Sequence, residues 1–375
     1  MVNPFEYADP VAPPQLVDRH AELDMLADQL VGTHNTRIIA PRRYGKTSLV
    51  RAALEQARND GLAAVYVNFL GVLTADDVAV RIERAYAESL EGSLRRWLTG
   101  VLRTLRPTVG VGGGLPVTAQ VSPQPREAAL LDRLALPRRI AEKSGGRCAI
   151  VFDEFQEIMR AGVGIDATIR SEIEQHANVA GYIFAGSHAG MMEELFADRR
   201  RAFYAQARPL TLEPLPADEL GDFVAATFEA HHRDAGDALG PLLDTARGHP
   251  QRAMLLAHHL FAQTPANASA DTDAWSRALA AAFRDSDGEV QATWGALSLS
   301  RQRVAAVVAD GTLQLNSAGA GQRYGLSRGG ASAATARSLA AEGLLAQDPG
   351  ARSGWRVVDP LIEIWIRSGR AWPAE

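Results

Sequence analysis

Cysteine is almost missing from this chain: Cys148 is the only one in 375 residues. No disulfide can form within it, which suits a reducing compartment. Long apolar runs are missing as well. No stretch approaches the roughly 18 residues that a membrane-crossing helix requires, so no span is expected. Met1-Val2-Asn3-Pro4-Phe5-Glu6 lacks the basic and then apolar pattern of a signal peptide, and the expected location is cytoplasmic. A positive charge excess is absent: the formal net charge is −5, which gives no global footprint for nucleic acid. Lysine is nearly absent too. Lys46 and Lys143 are the only two among 39 basic residues, and the others are arginine.

In so lysine-poor a chain, the setting of Lys46 is informative. Ala40-Pro41-Arg42-Arg43-Tyr44-Gly45-Lys46-Thr47 reads as a phosphate-binding loop. The backbone of 42–47 would cradle phosphates, Lys46 would reach them as a point charge, and Thr47 would hold Mg²⁺, with Ser48 continuing into a helix. The first position is Ala40 where the strict pattern has glycine. Pro41 biases its predecessor toward extended geometry, which alanine accepts. Gly45 is the stricter position, because backbone approaches phosphate there. The context fits: Thr36 to Ala40 reads as a short buried strand, and Thr47 to Leu54 opens a helix. The plainer alternative is an Arg-rich turn ahead of a helix.

The length suits two or three domains with a sizeable core. Strands are expected near 37–40 and at 63–69, 147–152, 180–186 and 207–212. Helices are expected from Asp18 to Leu30, from the loop to about Asn59, and at roughly 75–104, 127–144 and 166–177. From about 216 onward the chain reads as helical. Residues 105–126, with Gly112-Gly113-Gly114 inside, read as a flexible insertion or a small hairpin with partial order. No repeat of 20–50 residues is found. Alternating strands and helices predict an α/β fold, a P-loop NTPase parallel sheet with helices on both faces. The expected division is a P-loop core over 1–214, a helical lid with connecting helices over 215–296, and a winged-helix domain over 297–375.

The third strand ends in Phe152-Asp153-Glu154, four apolar residues followed by two acids. Ligands in such sheets bind outside the carboxyl ends of strands, which puts Asp153 beside the loop. Asp153 would hold Mg²⁺ through water, and Glu154 would orient or deprotonate an attacking water. Alone, such an ending also describes a solvated strand end. The wide gap from Lys46 indicates a strand inserted between the two motif strands. The fourth strand ends in Gly186-Ser187-His188, so Ser187 would sense a γ-phosphate between them, or cap the helix that follows. Asp198-Arg199-Arg200-Arg201 offers Arg200 as a finger onto a γ-phosphate, in cis or from a neighbour, or else a solvated basic turn. Arg42 and Arg43 are further candidates, unless they pair with Asp153 or Glu154.

Taken together, several segments resemble a known family. They are Pro41 to Leu49, Asp153-Glu154-Phe155-Gln156-Glu157, Phe184-Ala185-Gly186-Ser187 and Gly248-His249-Pro250-Gln251-Arg252. They look like the archaeal-type ATPases of the STAND class of AAA-like P-loop NTPases. Asn3-Pro4-Phe5 and Val17-Asp18-Arg19 resemble that family's N-terminal strap, which implies Phe5 and Arg19 near an adenine. The resemblance resumes at Asp359-Pro360-Leu361. It implies ATP binding, with Pro250's turn against the base and His249 approaching the phosphates. Gly248 and Pro250 also make sense as one helix's end and the next one's first turn. The departures are Ala40, and Asp18 where glycine is usual. Neither removes a catalytic group, so Mg²⁺-dependent hydrolysis of ATP to ADP is expected, at a slow rate.

Residues 297–375 read as a winged helix: a helix at 301–309, a turn at Tyr324-Gly325-Leu326-Ser327, a second helix from Ser332 to Glu342, two wing strands, and a closing amphipathic helix from Asp359. Nine arginines face six acids there. The recognition helix offers only Arg337, with Arg328 just before it, where major-groove readers present several polar side chains. In the resembled family this domain often folds back on the ATPase as a regulatory element. The expected function is an ATP-driven switch. A DNA-associated motor or loader, and a nucleotide-binding module without turnover, remain open beside it. The partners under consideration are ATP, nucleic acid through the winged helix, and an ATP-dependent homo-oligomer, without a membrane.

Overall fold

The computed structural model describes residues 2–9, 16–105, 126–326, 330–369 and 371. The first part runs α1 (His20–Val31), β1 (Asn35–Ile39), α2 (Lys46–Asn59), β2 (Ala63–Asn68), α3 (Ala75–Ser89), α4 (Gly92–Leu105), α5 (Arg126–Leu134), α6 (Leu136–Ser144) and β3 (Cys148–Asp153). After a short 3₁₀ helix at Phe155–Arg160 come α7 (Ile165–Ile173), β4 (Ala180–Gly186), α8 (Ala189–Ala197) and β5 (Arg208–Thr211). Then follow α9 (Ala217–Ala230), α10 (Leu239–Ala246), α11 (Pro250–Gln263) and α12 (Thr272–Gly295). The last group is α13 (Leu299–Asp310), α14 (Ala318–Tyr324), α15 (Ala331–Ala341), β6 (Leu345–Gln347), β7 (Trp355–Val357) and α16 (Pro360–Arg367).

The first five strands form one parallel sheet in the order β2-β3-β4-β1-β5. Every residue of β3 and β4 is buried, as central strands covered on both faces must be. One face packs an aromatic group that includes Phe152, Phe155, Phe184 and Phe196. The other packs Leu26, Leu49, Val50, Val151 and Ile183. β4 lies between β1 and β3, so it is the inserted strand that the gap between the motifs predicts. Register places Ile39 beside Gly186 and Asn68 beside Asp153. The carboxyl ends of β1, β3 and β4 therefore open on one edge.

Helices α9 to α12 share their own core, into which Phe5 reaches back from the N-terminus. The C-terminal part has a third core, built by α13 to α16 and the antiparallel β6–β7 hairpin, a winged-helix arrangement. The structure alters three expectations. The helix expected at 127–144 is two, α5 and α6, because Pro137 has no N–H and restarts the helix. The helix expected from Asp18 begins at His20, with Asp18 at φ 33. The Gly-rich stretch before Tyr324 forms α14, a helix its composition does not announce; the Ser317 hydroxyl caps it by accepting from Ala320 N. The reading of 105–126 falls largely outside the described residues, and Ser327 and Arg328 lie outside them altogether. No described helix is long and apolar enough to cross a membrane.

Candidate functional site

The site grows from the end of β1. Arg43 has φ 68 and Gly45 φ 79, so the loop curls through two left-handed residues before α2. A side chain at Gly45 would be strained by that φ, although the space around it is open. No side chain caps α2, and its first turn carries no acid. The positive end of the helix dipole at this start favours an anion. Lys46 leaves this turn and is buried. Its Nζ lies 2.9 Å from Glu154 Oε1 and 3.4 Å from Asp153 Oδ1.

Two strands away, the acids are held by their own donors. Asp153 Oδ2 accepts from Thr47 Oγ1 at 3.3 Å and from Tyr66 OH at 2.6 Å. Asp153 Oδ1 accepts from Glu154 N at 2.9 Å. Burial, and then Asp153, push the Tyr66 hydroxyl far above its usual range, so it stays a neutral donor. Glu154 has φ 50, a costly conformation for a residue other than glycine. Its Oε2 accepts from Ser187 Oγ at 2.8 Å and from Gln156 Nε2 at 2.6 Å. Burial alone would raise this carboxyl, but Lys46, Gln156 and Ser187 outweigh it and hold Glu154 below the usual carboxylate range. Lys46, Thr47, Asp153, Glu154 and Ser187 are thus one hydrogen-bonded group.

A further set of contacts joins the loop to the lid and the winged helix. Tyr44 is buried and meets the His249 ring edge-on, with centroids 4.9 Å apart. The His249 Nδ1 caps α11 by accepting from Arg252 N, and Pro250 is the first residue of that helix. Burial pushes His249 down to about 4, so the ring is neutral. Arg43 pairs with Glu289 of α12. Arg252, 1% exposed, shares Glu289 at 3.3 Å and is gripped by Asp359 ahead of α16. Arg247 adds Glu363 at 2.8 Å. A Cβ on Gly343, beside the wing, would come 3.8 Å from Pro41 and 3.9 Å from the Ser187 carbonyl. The winged helix therefore rests on the phosphate-loop edge of the sheet.

Nearly the whole chain is similar to the Walker-type ATPase paby2304 of Pyrococcus abyssi, with a TM-score of 0.70 and 15% identity over 97% of this chain and 99% of that one. It is also similar to the ORC2 protein of Aeropyrum pernix. In the ADPNP–ADP complexes the TM-score is 0.60 at 18% identity, over 97% and 98% of the two chains; in the ADP form it is 0.54 at 17%, over 98% of each. The likeness is one of fold. No family model and no curated protein matches the chain. The fold is a parallel P-loop core sheet with flanking helices and a C-terminal winged-helix domain.

The remaining expected residues fall elsewhere. Phe5, 1% exposed, packs against Phe223, Phe228 and Phe261 in the lid core. Arg19 is buried and bonds Glu22 and the Glu213 carbonyl. Ala40 is buried under the loop among Ile38, Tyr44 and Val358, and Ser48 is buried in α2. Arg42 is exposed. Arg43 does not pair with Asp153 or Glu154 as the sequence allowed, because Glu289 takes it. The helix after β4 is capped by the side chain of His188, not Ser187, whose hydroxyl is committed to Glu154. Arg200, 89% exposed, pairs with Asp198 beyond α8 and is no part of the group around Lys46, against its reading as a finger in cis. Sequence reasoning missed Tyr66 and Gln156. The one polar ring inside apolar β2, and the amide two residues after Glu154, were the available signals.

Proposed function

We propose that this chain is an Mg²⁺-dependent ATPase that works in association with DNA, its nucleotide site coupled to the winged-helix domain. The convergence of Lys46, Thr47, Asp153 and Glu154 beside the uncapped start of α2 carries the ATPase reading. The donors suit the metal. The Thr47 hydroxyl and Asp153 carboxylate are hard oxygen groups, and Mg²⁺ takes one or two of these and leaves the rest to phosphate and water. Bound there, Mg²⁺ offsets charge on the phosphate oxygens.

The backbone of 42–47 and Lys46 hold the phosphates. Their arrival draws Lys46 off Glu154, which frees the carboxylate to accept a proton from water. The water oxygen bonds to the γ-phosphorus as the bond to the β–γ bridging oxygen breaks. The Pro250 turn lies toward the base and His249 toward the phosphates, with Phe5, packed in the lid core, and Arg19 behind that side, and Ser187 stays on Glu154. Turnover is slow, because the winged helix covers the loop. The working division is core 1–214, lid 215–296 and winged helix 297–375, in a cytoplasmic protein. Arg200, exposed beyond α8, would reach a neighbouring copy in an ATP-dependent oligomer.

One observation supports DNA: Arg303, Arg323 and Arg367 line a cavity of about 850 Å³ in the C-terminal domain, apart from the P-loop, with Arg323 paired to Asp310 at 2.8 Å and Arg367 to Glu363 at 3.0 Å. A second reading is a STAND-class switch in which the winged helix only regulates, and the Arg252–Asp359 grip favours it. ADP release measured with and without DNA separates the two. A severalfold rise with DNA at low salt, abolished as salt is added, is expected. Unchanged turnover with single- and double-stranded DNA contradicts DNA association and leaves the switch. No ADP release under any condition leaves a binding module.

A further inference from the structure

Glu154 is held unevenly. Its Oε2 accepts two hydrogen bonds, from Ser187 Oγ and Gln156 Nε2, while among the described residues Oε1 accepts only from Lys46. Lys46 is the group a phosphate would take away. Once it leaves, Oε2 remains anchored on two sides and Oε1 is bare. We propose that Gln156 is a positioning residue for the hydrolytic step: with Ser187 it pins Oε2, so that Oε1 is the oxygen presented to water. The inference rests on the ATPase reading given above.

The surroundings of Gln156 fit this role. The side chain is 2% exposed, so its amide orientation matters. The amide nitrogen faces the carboxylate, since the amide oxygen there would set acceptor against acceptor. Gln156 Oε1 accordingly points away and finds no partner, an expensive arrangement for a buried polar atom unless the other end is needed. Gly186 makes room for it. A Cβ there would lie 2.5 Å from Gln156 Oε1 and 2.5 Å from the Met192 side chain. Glycine at the end of β4 lets the amide lodge between that strand and the 3₁₀ helix. Because Glu154 sits at a left-handed φ, its own backbone favours relaxing away, and side-chain anchors counter that tendency.

The test is ADP release and ADP affinity in the full chain for wild type, Gln156→Met, Gln156→Ala and Gly186→Ala. Gln156→Met keeps a similar length and volume and removes the donor without adding a carboxyl. Gly186→Ala leaves Gln156 intact and displaces it, so one variant that misfolds does not void the test. The expected result is a kcat lowered about 10- to 100-fold in each, the usual scale for losing such a support, with ADP affinity within about threefold of wild type. In a Glu154→Gln background, adding Gln156→Ala should cost nothing further, since the carboxylate it positions is gone. Wild-type kcat in Gln156→Met, or an equal loss in both backgrounds, overturns the proposal while the ATPase reading stands. A wild type without turnover removes both.

Discussion

Arg252 of the lid and Asp359 of the winged helix form a buried two-pronged ion pair, with Arg252 Nε 2.9 Å and Nη2 2.6 Å from Asp359 Oδ2. The pair lies next to His249, which itself lies on Tyr44 of the phosphate loop. Three parts of the chain thus meet within a few side chains of Lys46.

Replacing Asp359 by asparagine should loosen that meeting point. Asp359→Asn keeps the helix cap, because an amide oxygen can still accept from Leu361 N, and removes the charge together with the oxygen that accepts from Arg252. Taking its main partner from a guanidinium buried to this degree, with Glu289 left at 3.3 Å, costs up to about 3 kcal/mol. Chemical denaturation should show that loss, and ADP should dissociate faster. A stability change below roughly 0.5 kcal/mol, the limit for a neutral surface change, would mean that the pair does not hold the winged helix down.

Acid should weaken the fold through two histidines. Burial drives His176 and His249 down from 6.5 to about 4. Both are neutral in the folded state between those values, while the unfolded chain takes up the protons, so stability falls as pH drops through 6.5 toward 4. Each should contribute about 2 kcal/mol of loss by about pH 5 relative to about pH 7. Asp359 adds no slope there. Burial would raise it, but Arg252 and His249 hold it below its usual range, so it stays charged until pH falls further. Unfolding free energies of wild type and His249→Asn at about pH 7 and about pH 5 check this; the variant should show about half of the wild-type difference. Equal slopes would contradict the assignment to His249.

The groups legible in sequence were those whose chemistry requires a residue type at a fixed spacing. Lys46 and Thr47 open α2 directly after Gly45, whose left-handed turn sets them beside the strand ends. Asp153, Glu154 and Ser187 stand at strand ends, and the parallel sheet brings those ends to one edge. The strand inserted between the two motif strands was legible from the gap between them. What could not be read were contacts between surfaces. Tyr66 reaches Asp153 only because β2 lies beside β3, and Arg252 meets Asp359 only because two separate cores pack together. Arg43 went to Glu289 because the lid comes over the loop, which no local pattern announces.

DNA association through the winged helix requires cations for the phosphates, and Arg303, Arg323 and Arg367 are the expected ones. Changing all three to alanine should lower DNA affinity. It should also reduce the slope of log affinity against log salt by about 2 to 3, near 0.9 for each phosphate no longer neutralised. ADP affinity should not move. Unchanged affinity and slope would place DNA binding elsewhere or remove it.

The central claim is that Glu154 activates water at a site built on Lys46. A single-turnover measurement of ATP cleavage in Glu154→Gln, beside a titration of its nucleotide affinity, tests it most directly. Cleavage should fall by about 10²- to 10⁴-fold, as expected for loss of a general base, with nucleotide still bound. Cleavage at the wild-type rate by the fully bound variant would contradict it.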